Sequence, residues 1–151
     1  MKVFKKIILF LLIVFACIQF IPTNRNQSTE IFETDVTKIF EVPQNIQTLL
    51  NESCYDCHSN NTKYHWYDKI QPVSLFVERH INEGKKELNF SEFGAYSNRK
   101  QKSKLKFLIS QVKNDKMPIS SYALIHSNAK LSESEKKEIM DWATTLRDSL
   151  K

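Results

Sequence analysis

NIQTLLNESCYDCHSNN, residues 45–61, is the stretch on which the reading of this chain turns. Ile46, Leu49, Leu50 and Cys54 recur at helical spacing. Pro43 stands just ahead of them, where a residue without an N–H can open a helix. Cys57 follows one turn after Cys54, so the spacing predicts an amphipathic helix with Cys54-Tyr55-Asp56-Cys57-His58 at its C-terminal end.

Two thiols one helical turn apart with an imidazole next to the second form the C-x-x-C-H pattern of c-type haem attachment. Thiols so placed reach the two vinyl groups of a porphyrin, and the adjacent imidazole is set to ligate the iron from the proximal side. Other chemistries use a C-x-x-C pair: a structural disulfide, a thioredoxin-like redox pair, or half a zinc site. Zinc would need His58 and one of His65, His80 or His126. There is no second C-x-x-C, and no βαβ pattern surrounds the first.

Working outward, the 151 residues suit one domain with a modest core, and two glycines with four prolines argue against a turn-rich sandwich or barrel. The expected class is all-α. Ser132-Glu133-Ser134-Glu135 reads as a capping box, followed by an apolar stripe of Ile139, Trp142, Ala143 and Leu146. A middle helix is predicted from Val73 to Asn82, ended by Gly84. Another apolar run, Leu105, Leu108, Ile109 and Val112, follows the basic residues Arg99, Lys100, Lys102, Lys104 and Lys106. These basic residues read as a solvated face, or as a dock for an acidic redox partner or for propionates.

The chain is divided into residues 1–21, a linker and packing segment over 22–44, and a haem-binding domain over 45–151. Residues 7–21, IILFLLIVFACIQFI, follow Lys2, Lys5 and Lys6, as a charged and an apolar region do in an export signal or retained anchor. At 1.5 Å per residue the run spans about 22 Å, and extension back to Val3 with lysine snorkelling brings it nearer a hydrocarbon core. A transmembrane helix is therefore expected, with the lysines on the cytoplasmic side and the domain outside. Cys17 after Val14-Phe15-Ala16 offers a looser lipoprotein alternative, and no A-x-A-like cleavage site follows. Without residues 1–21 the charge falls from +5 to +2, 19 basic against 17 acidic, so a nucleic-acid partner is not expected. In the linker, Pro22, Asn24, Asn26, Gln27 and Ser28 favour an extended tether. Ile31, Phe32, Val36, Ile39 and Phe40 are expected to pack along the domain.

The second axial ligand is open between three residues. Met117-Pro118 lies 59 residues after His58, and a thioether suits haem iron and raises its potential. His80, on the middle helix, and His126, after Tyr122, are the alternatives. Pro72, 14 residues after His58, could offer a carbonyl to the Nδ1 proton of the proximal imidazole. Tyr64, Trp66, Tyr67 and Tyr122 could wall the porphyrin, each with an apolar ring and a polar tip.

CYDCHSNNTKYHWY at 54–67, IQPVS at 70–74, HINEGKKELNFSEF at 80–93, MPISSYALIHSNAKLSESE at 117–135 and Trp142 together resemble the small bacterial haem-binding-domain family. The resemblance covers roughly residues 40–148. It implies one covalent haem c, a cytochrome c-like helical fold and often an N-terminal membrane anchor, without implying a reaction. Its pattern includes Met117, His126 and His80 alike. One departure is Asn114-Asp115-Lys116, where a glycine-containing turn is expected. The expectation is a membrane-anchored, non-enzymatic electron carrier on the periplasmic face of a bacterial inner membrane, serving redox partner proteins. The alternative is a haem-based sensor or peroxide-binding domain with an open distal site.

Overall fold

The computed structural model describes residues 1–28, 30 and 32–151 of the chain. Ile31, expected to pack along the domain, lies outside the described residues. The architecture is all-helical, and among the described residues the only extended pairing is an isolated bridge between Gln27 and Asn61. The elements are α1 (Lys2–Ile18), α2 (Val36–Ile39), α3 (Gln44–Ser53), α4 (Tyr55–His58), α5 (Val73–Glu87), α6 (Asn98–Lys113), α7 (Ser120–Ile125) and α8 (Glu133–Ser149). Short 3-10 turns occupy Tyr67–Lys69, Phe90–Ala95 and Ser127–Ala129.

The core forms where α6, α8 and α3 meet. Leu105, Leu108 and Val112 of α6 face Ile139, Ala143 and Leu146 of α8, and Ile46, Leu49 and Leu50 of α3 complete the layer with Phe90 and Phe93. Each helix supplies residues three or four apart, so one stripe is buried and the opposite face stays charged. At the start of α8 the Ser132 hydroxyl accepts from the Glu135 amide, and the Glu135 carboxylate accepts from the Ser132 amide at 2.7 Å. The predicted box and stripe are both present, although Trp142 is only half-buried at the edge of the core.

Two expectations are corrected and a third is not supported. The helix carrying the C-x-x-C-H motif is not continuous. It stops at Ser53, Cys54 leaves helical geometry (φ −129°, ψ −42°), and the short α4 restarts at Tyr55. Gly84 does not end the middle helix, which runs three residues further to Glu87. A Cβ at position 84 would stand 2.6 Å from the carbonyl oxygen of Cys57, so glycine is needed here for two helices to touch. Third, no helix among the described residues is long and apolar enough to cross a membrane, so the expected transmembrane helix over 1–21 is not supported. The N-terminal helix ends at Ile18 and tightens into i→i−3 turns over Gln19–Ile21, and the Gln19 side chain bonds back to the Phe15 carbonyl (3.0 Å) and across to Gln71.

The polar segment after α1 lies against the domain. Thr23 Oγ1 meets Ser74 Oγ at 2.9 Å, the Asn26 amide N–H donates to the Tyr64 hydroxyl at 2.9 Å, and the Asn26 side chain donates to the Ser59 carbonyl at 2.8 Å. Further along, Val36 is fully buried and Phe40 packs edge-on against Phe93, as the packing segment requires, while Ile39 remains largely exposed. The turn before Met117 also matches its expectation in an altered form. Asp115 adopts φ 55°, the left-handed conformation that a glycine would supply. Aspartate is among the few other residues that tolerate it, and Lys136 forms an ion pair with its carboxylate.

Candidate functional site

The break at Cys54 and the close approach at Gly84 place the motif on one wall of a mostly apolar cavity of about 360 Å3. Cys54, Cys57 and His58 line it from the motif. His80, Glu83, Gly84, Glu87 and Leu88 come from α5 and its end, and Phe107, Leu108, Gln111 and Val112 from α6. Met117, Pro118, Ile119 and Tyr122 complete the lining. Residues 59 apart in sequence, His58 and Met117, thus share one cavity.

His58 is held by the chain rather than by solvent. Its Nδ1 lies 2.9 Å from the Leu88 carbonyl oxygen, and since a carbonyl only accepts, Nδ1 carries the proton. Nε2 is then the nitrogen left to ligate. Burial lowers the His58 pKa, against a smaller upward pull from the Leu88 and Gly84 carbonyls and from Glu87, which favours the neutral imidazole a metal requires. Phe90 stands edge-on to this ring at 6.5 Å and stacks on Tyr55 at 5.3 Å. Burial pushes the Cys54 thiol up to about 12, with a further contribution from Cys57. Burial, then Asp56, pushes Cys57 up to about 11. Both are neutral thiols near neutral pH, and they are not joined to one another.

The opposite side of α4 is polar. Asp56 Oδ2 accepts from the Tyr122 hydroxyl at 2.7 Å, and the Tyr67 hydroxyl lies 2.7 Å from His126 Nε2. His126 Nδ1 is 3.0 Å from the Tyr122 carbonyl oxygen, and His65 Nδ1 is 3.4 Å from His126 Nε2. These groups border a second cavity of about 670 Å3, lined by Asp56, His65, Tyr122 and His126 with a ring of Asn and Ser side chains. Burial and the Asp56 hydrogen bond raise the Tyr122 pKa, so its phenol remains a donor.

Against this geometry the sequence-derived candidates divide. Cys54, Cys57, His58 and Met117 are brought together. His80 lines the same cavity but also a groove of about 120 Å3 with Phe76 and Val73, and its Nδ1 is bound to the Phe76 carbonyl at 2.8 Å. His126 lines the groove and the polar cavity and not the one holding His58, with both ring nitrogens engaged. Pro72 is exposed and its carbonyl accepts from the Phe76 amide; the carbonyl that holds His58 belongs to Leu88. Of the four aromatic candidates only Tyr122 lines the cavity: Tyr64 bonds Asn26, Tyr67 bonds His126, and Trp66 is exposed. Leu88, Phe90 and Phe107 were not singled out from sequence. Gly84 was the one available signal, since a glycine inside a helical pattern often marks a close approach. In the basic group, Lys104 pairs with Glu87 at 3.6 Å on the cavity rim, Lys100 covers the Tyr96 ring, and Arg99, Lys102 and Lys106 are exposed. Among the described residues no three His, Cys, Asp or Glu side chains gather to hold a metal ion, so the zinc alternative has no ligand set.

The residues present fit a flat apolar macrocycle carrying iron. Two thiols and an oriented imidazole stand on one wall, a thioether borders the same space, and Phe90, Phe107, Leu108 and Val112 give it apolar walls. The comparisons with known proteins agree. The model of the haem-binding domain family matches residues 13–145 of the chain. No curated protein and no solved structure matches it. The chain belongs to the haem-binding domain family.

Proposed function

We propose that this member of the haem-binding domain family carries one haem c, tethered through Cys54 and Cys57, and relays single electrons at the outer face of the cytoplasmic membrane. The observation that supports it best is the gathering of Cys54, Cys57, His58 and Met117 around one apolar cavity. When bound, the haem would supply a one-electron ferrous–ferric couple. The chain's own part is to hold that group still and dry. Leu88 fixes the His58 tautomer, Gly84 lets α5 close on Cys57, and Phe90 backs the imidazole. Met117 is the residue proposed to hold the iron opposite His58, because it borders the same cavity while both ring nitrogens of His126 are engaged elsewhere; His80, with only its Nδ1 on the Phe76 carbonyl, is the rival that Met117→Ala would reveal. A thioether in that position raises the reduction potential.

The membrane part of the proposal rests on α1. Its apolar residues from Ile7 to Phe15 are exposed around the whole helix and none is buried in the domain. A helix apolar on all sides calls for an apolar surrounding. Lys2, Lys5 and Lys6 at its start favour the cytoplasmic side, which sets the domain on the periplasmic face.

The test is the absorption spectrum of the purified holoprotein under redox control, with a haem stain after denaturing electrophoresis. Haem that survives denaturation, a six-coordinate low-spin ferric spectrum and a methionine–iron charge-transfer band are expected. Met117→Ala should abolish that band and lower the potential. A high-spin five-coordinate ferric form would instead support the sensor or peroxide-binding alternative. Absence of covalent haem after expression with a competent maturation system would overturn the proposal.

A further inference from the structure

We infer that the surface formed by Trp66, Lys69, Ile70 and Val73 rests on the lipid bilayer, so that the domain is mounted against the membrane rather than swung on a free tether. The inference rests on the placement of α1 in the membrane proposed above.

The end of α1 is clamped to the start of α5. The Gln71 amide N–H donates to Gln19 Oε1 at 3.0 Å, and Gln19 Nε2 donates back to the Gln71 carbonyl at 3.3 Å. The Gln71 side chain, itself buried, donates to the Ile21 carbonyl at 3.1 Å. Two further contacts extend the seam: Thr23 with Ser74, and the Asn24 amide with Glu78 at 3.2 Å. Five contacts over Gln19–Asn24 leave little freedom between helix and domain.

The clamp fixes what lies at the level of the helix end. Ile70 and Val73 are within two residues of Gln71, hence within about 8 Å of its Cα, and Gln71 is bonded to Gln19 at the end of α1. The interfacial layer of a bilayer is about 5–8 Å deep on each side. With α1 in the bilayer, the segment bonded to its end is the part of the domain brought to the membrane surface. Its composition suits that layer. Trp66 is 73% exposed, Ile70 37% and Val73 38%, and Lys69 stands exposed among them. Trp66 and Ile70 flank the same 3-10 turn, Tyr67–Lys69, whose hydrogen bonds Lys69 N–H to Trp66 O and Ile70 N–H to Tyr67 O tie them together. An exposed indole beside aliphatic residues and a lysine is the mixture that membrane interfaces select, with the ring at the headgroups and the ammonium among the phosphates. Phe20 and Ile21, both exposed, continue the apolar surface on the helix side of the clamp.

The experiment uses the full-length holoprotein in vesicles of phosphatidylethanolamine and phosphatidylglycerol. Benzoylphenylalanine is placed singly at Trp66, Ile70, Leu11 or Lys106, and adducts formed on illumination are read by mass spectrometry. The haem spectrum confirms folding of each variant. Lipid adducts are expected at positions 66, 70 and 11 and not at position 106, on the exposed face of α6. Adducts at 11 with none at 66 and 70 would overturn the docking surface and leave the anchor standing. No lipid adduct at 11 would overturn both. A protein–protein adduct at 66 or 70 would assign the surface to a second copy and overturn its assignment to lipid. Gln19→Ala combined with Gln71→Ala should reduce the lipid adduct at position 70 at least several-fold. Unchanged yield would overturn the role of the clamp.

Discussion

One turn of helix, Tyr55–His58, separates two unlike regions. On one side Cys54, Cys57 and His58 face an apolar cavity shared with Met117; on the other, Asp56 enters a polar network with Tyr122, Tyr67, His126 and His65. Histidine occurs on both sides, and the difference shows what makes one a ligand. The His58 ring has one nitrogen fixed by a backbone carbonyl and the other left for the cavity. Both nitrogens of His126 are already taken, by Tyr67 and by a carbonyl of its own segment. An imidazole that has satisfied both nitrogens gains little by changing partners, whereas one held on a single side, with the other nitrogen open to the cavity, can be oriented for a metal. Tyr122 alone lines both cavities, its ring toward the apolar one and its hydroxyl bonded to Asp56.

The strongest way to break this contrast is to remove each of the two histidines in turn. His58→Ala should eliminate the low-spin haem spectrum and reduce haem content, whereas His126→Ala should leave the spectrum unchanged and cost only a hydrogen bond or two, about 1–2 kcal/mol. Absorption spectra of the two variants, normalised to protein, decide it. Equal losses would mean that the sides are not distinct.

Next comes Phe90, the ring that supports both sides by stacking on Tyr55 and abutting His58. Phe90→Ala leaves a cavity in a fully buried position and should lower stability by about 3–5 kcal/mol, measured by denaturant titration. Gly84→Ala tests the seam on the cavity side. Its Cβ would press on the Cys57 carbonyl, and the expected loss is about 1–3 kcal/mol together with a shifted haem spectrum. An unchanged spectrum would show that α5 and α4 can part without disturbing the ligands.

The smallest effect is expected far from both regions. Ser132→Ala removes the α8 cap and should cost about 1 kcal/mol with no change in the haem spectrum. The same cap carries a pH signature. Hydrogen bonds from the Ser132 hydroxyl and amide hold the Glu135 carboxyl below its ordinary 4.5. Its stabilisation is therefore complete above that value and lost as the pH falls through the lower folded pKa. Thermal melts between pH 6 and pH 3 should show a smaller loss in Glu135→Gln than in the parent chain.

Local pattern was enough for the all-helical class, the haem motif, the α8 cap and its stripe, because each depends on residues within one or two turns of each other. Spacing from His58 offered Met117 as one of three candidates for the second ligand, and the family resemblance, not local pattern, implied a glycine-containing turn at 114–116, where Asp115 takes the left-handed conformation. Pattern failed where one backbone meets another. The carbonyl that orients His58 comes from Leu88 rather than Pro72, and a carbonyl has no residue signature. Gly84 looked like a helix end because glycine serves both stops and close contacts, and only the packing of α5 on Cys57 distinguishes them. Thr23 and Asn26, in the segment read as a tether, and Gln19, read as part of the anchor, find partners 33 to 59 residues away, and only the folded chain brings those within reach. Periodicity and motif spacing are local properties, and so they specified the helices and the chemistry of the motif. Which of Met117, His80 and His126 shares the cavity of His58, and which surface lies beside the N-terminal helix, are set by long-range contacts and were legible only once the chain was folded.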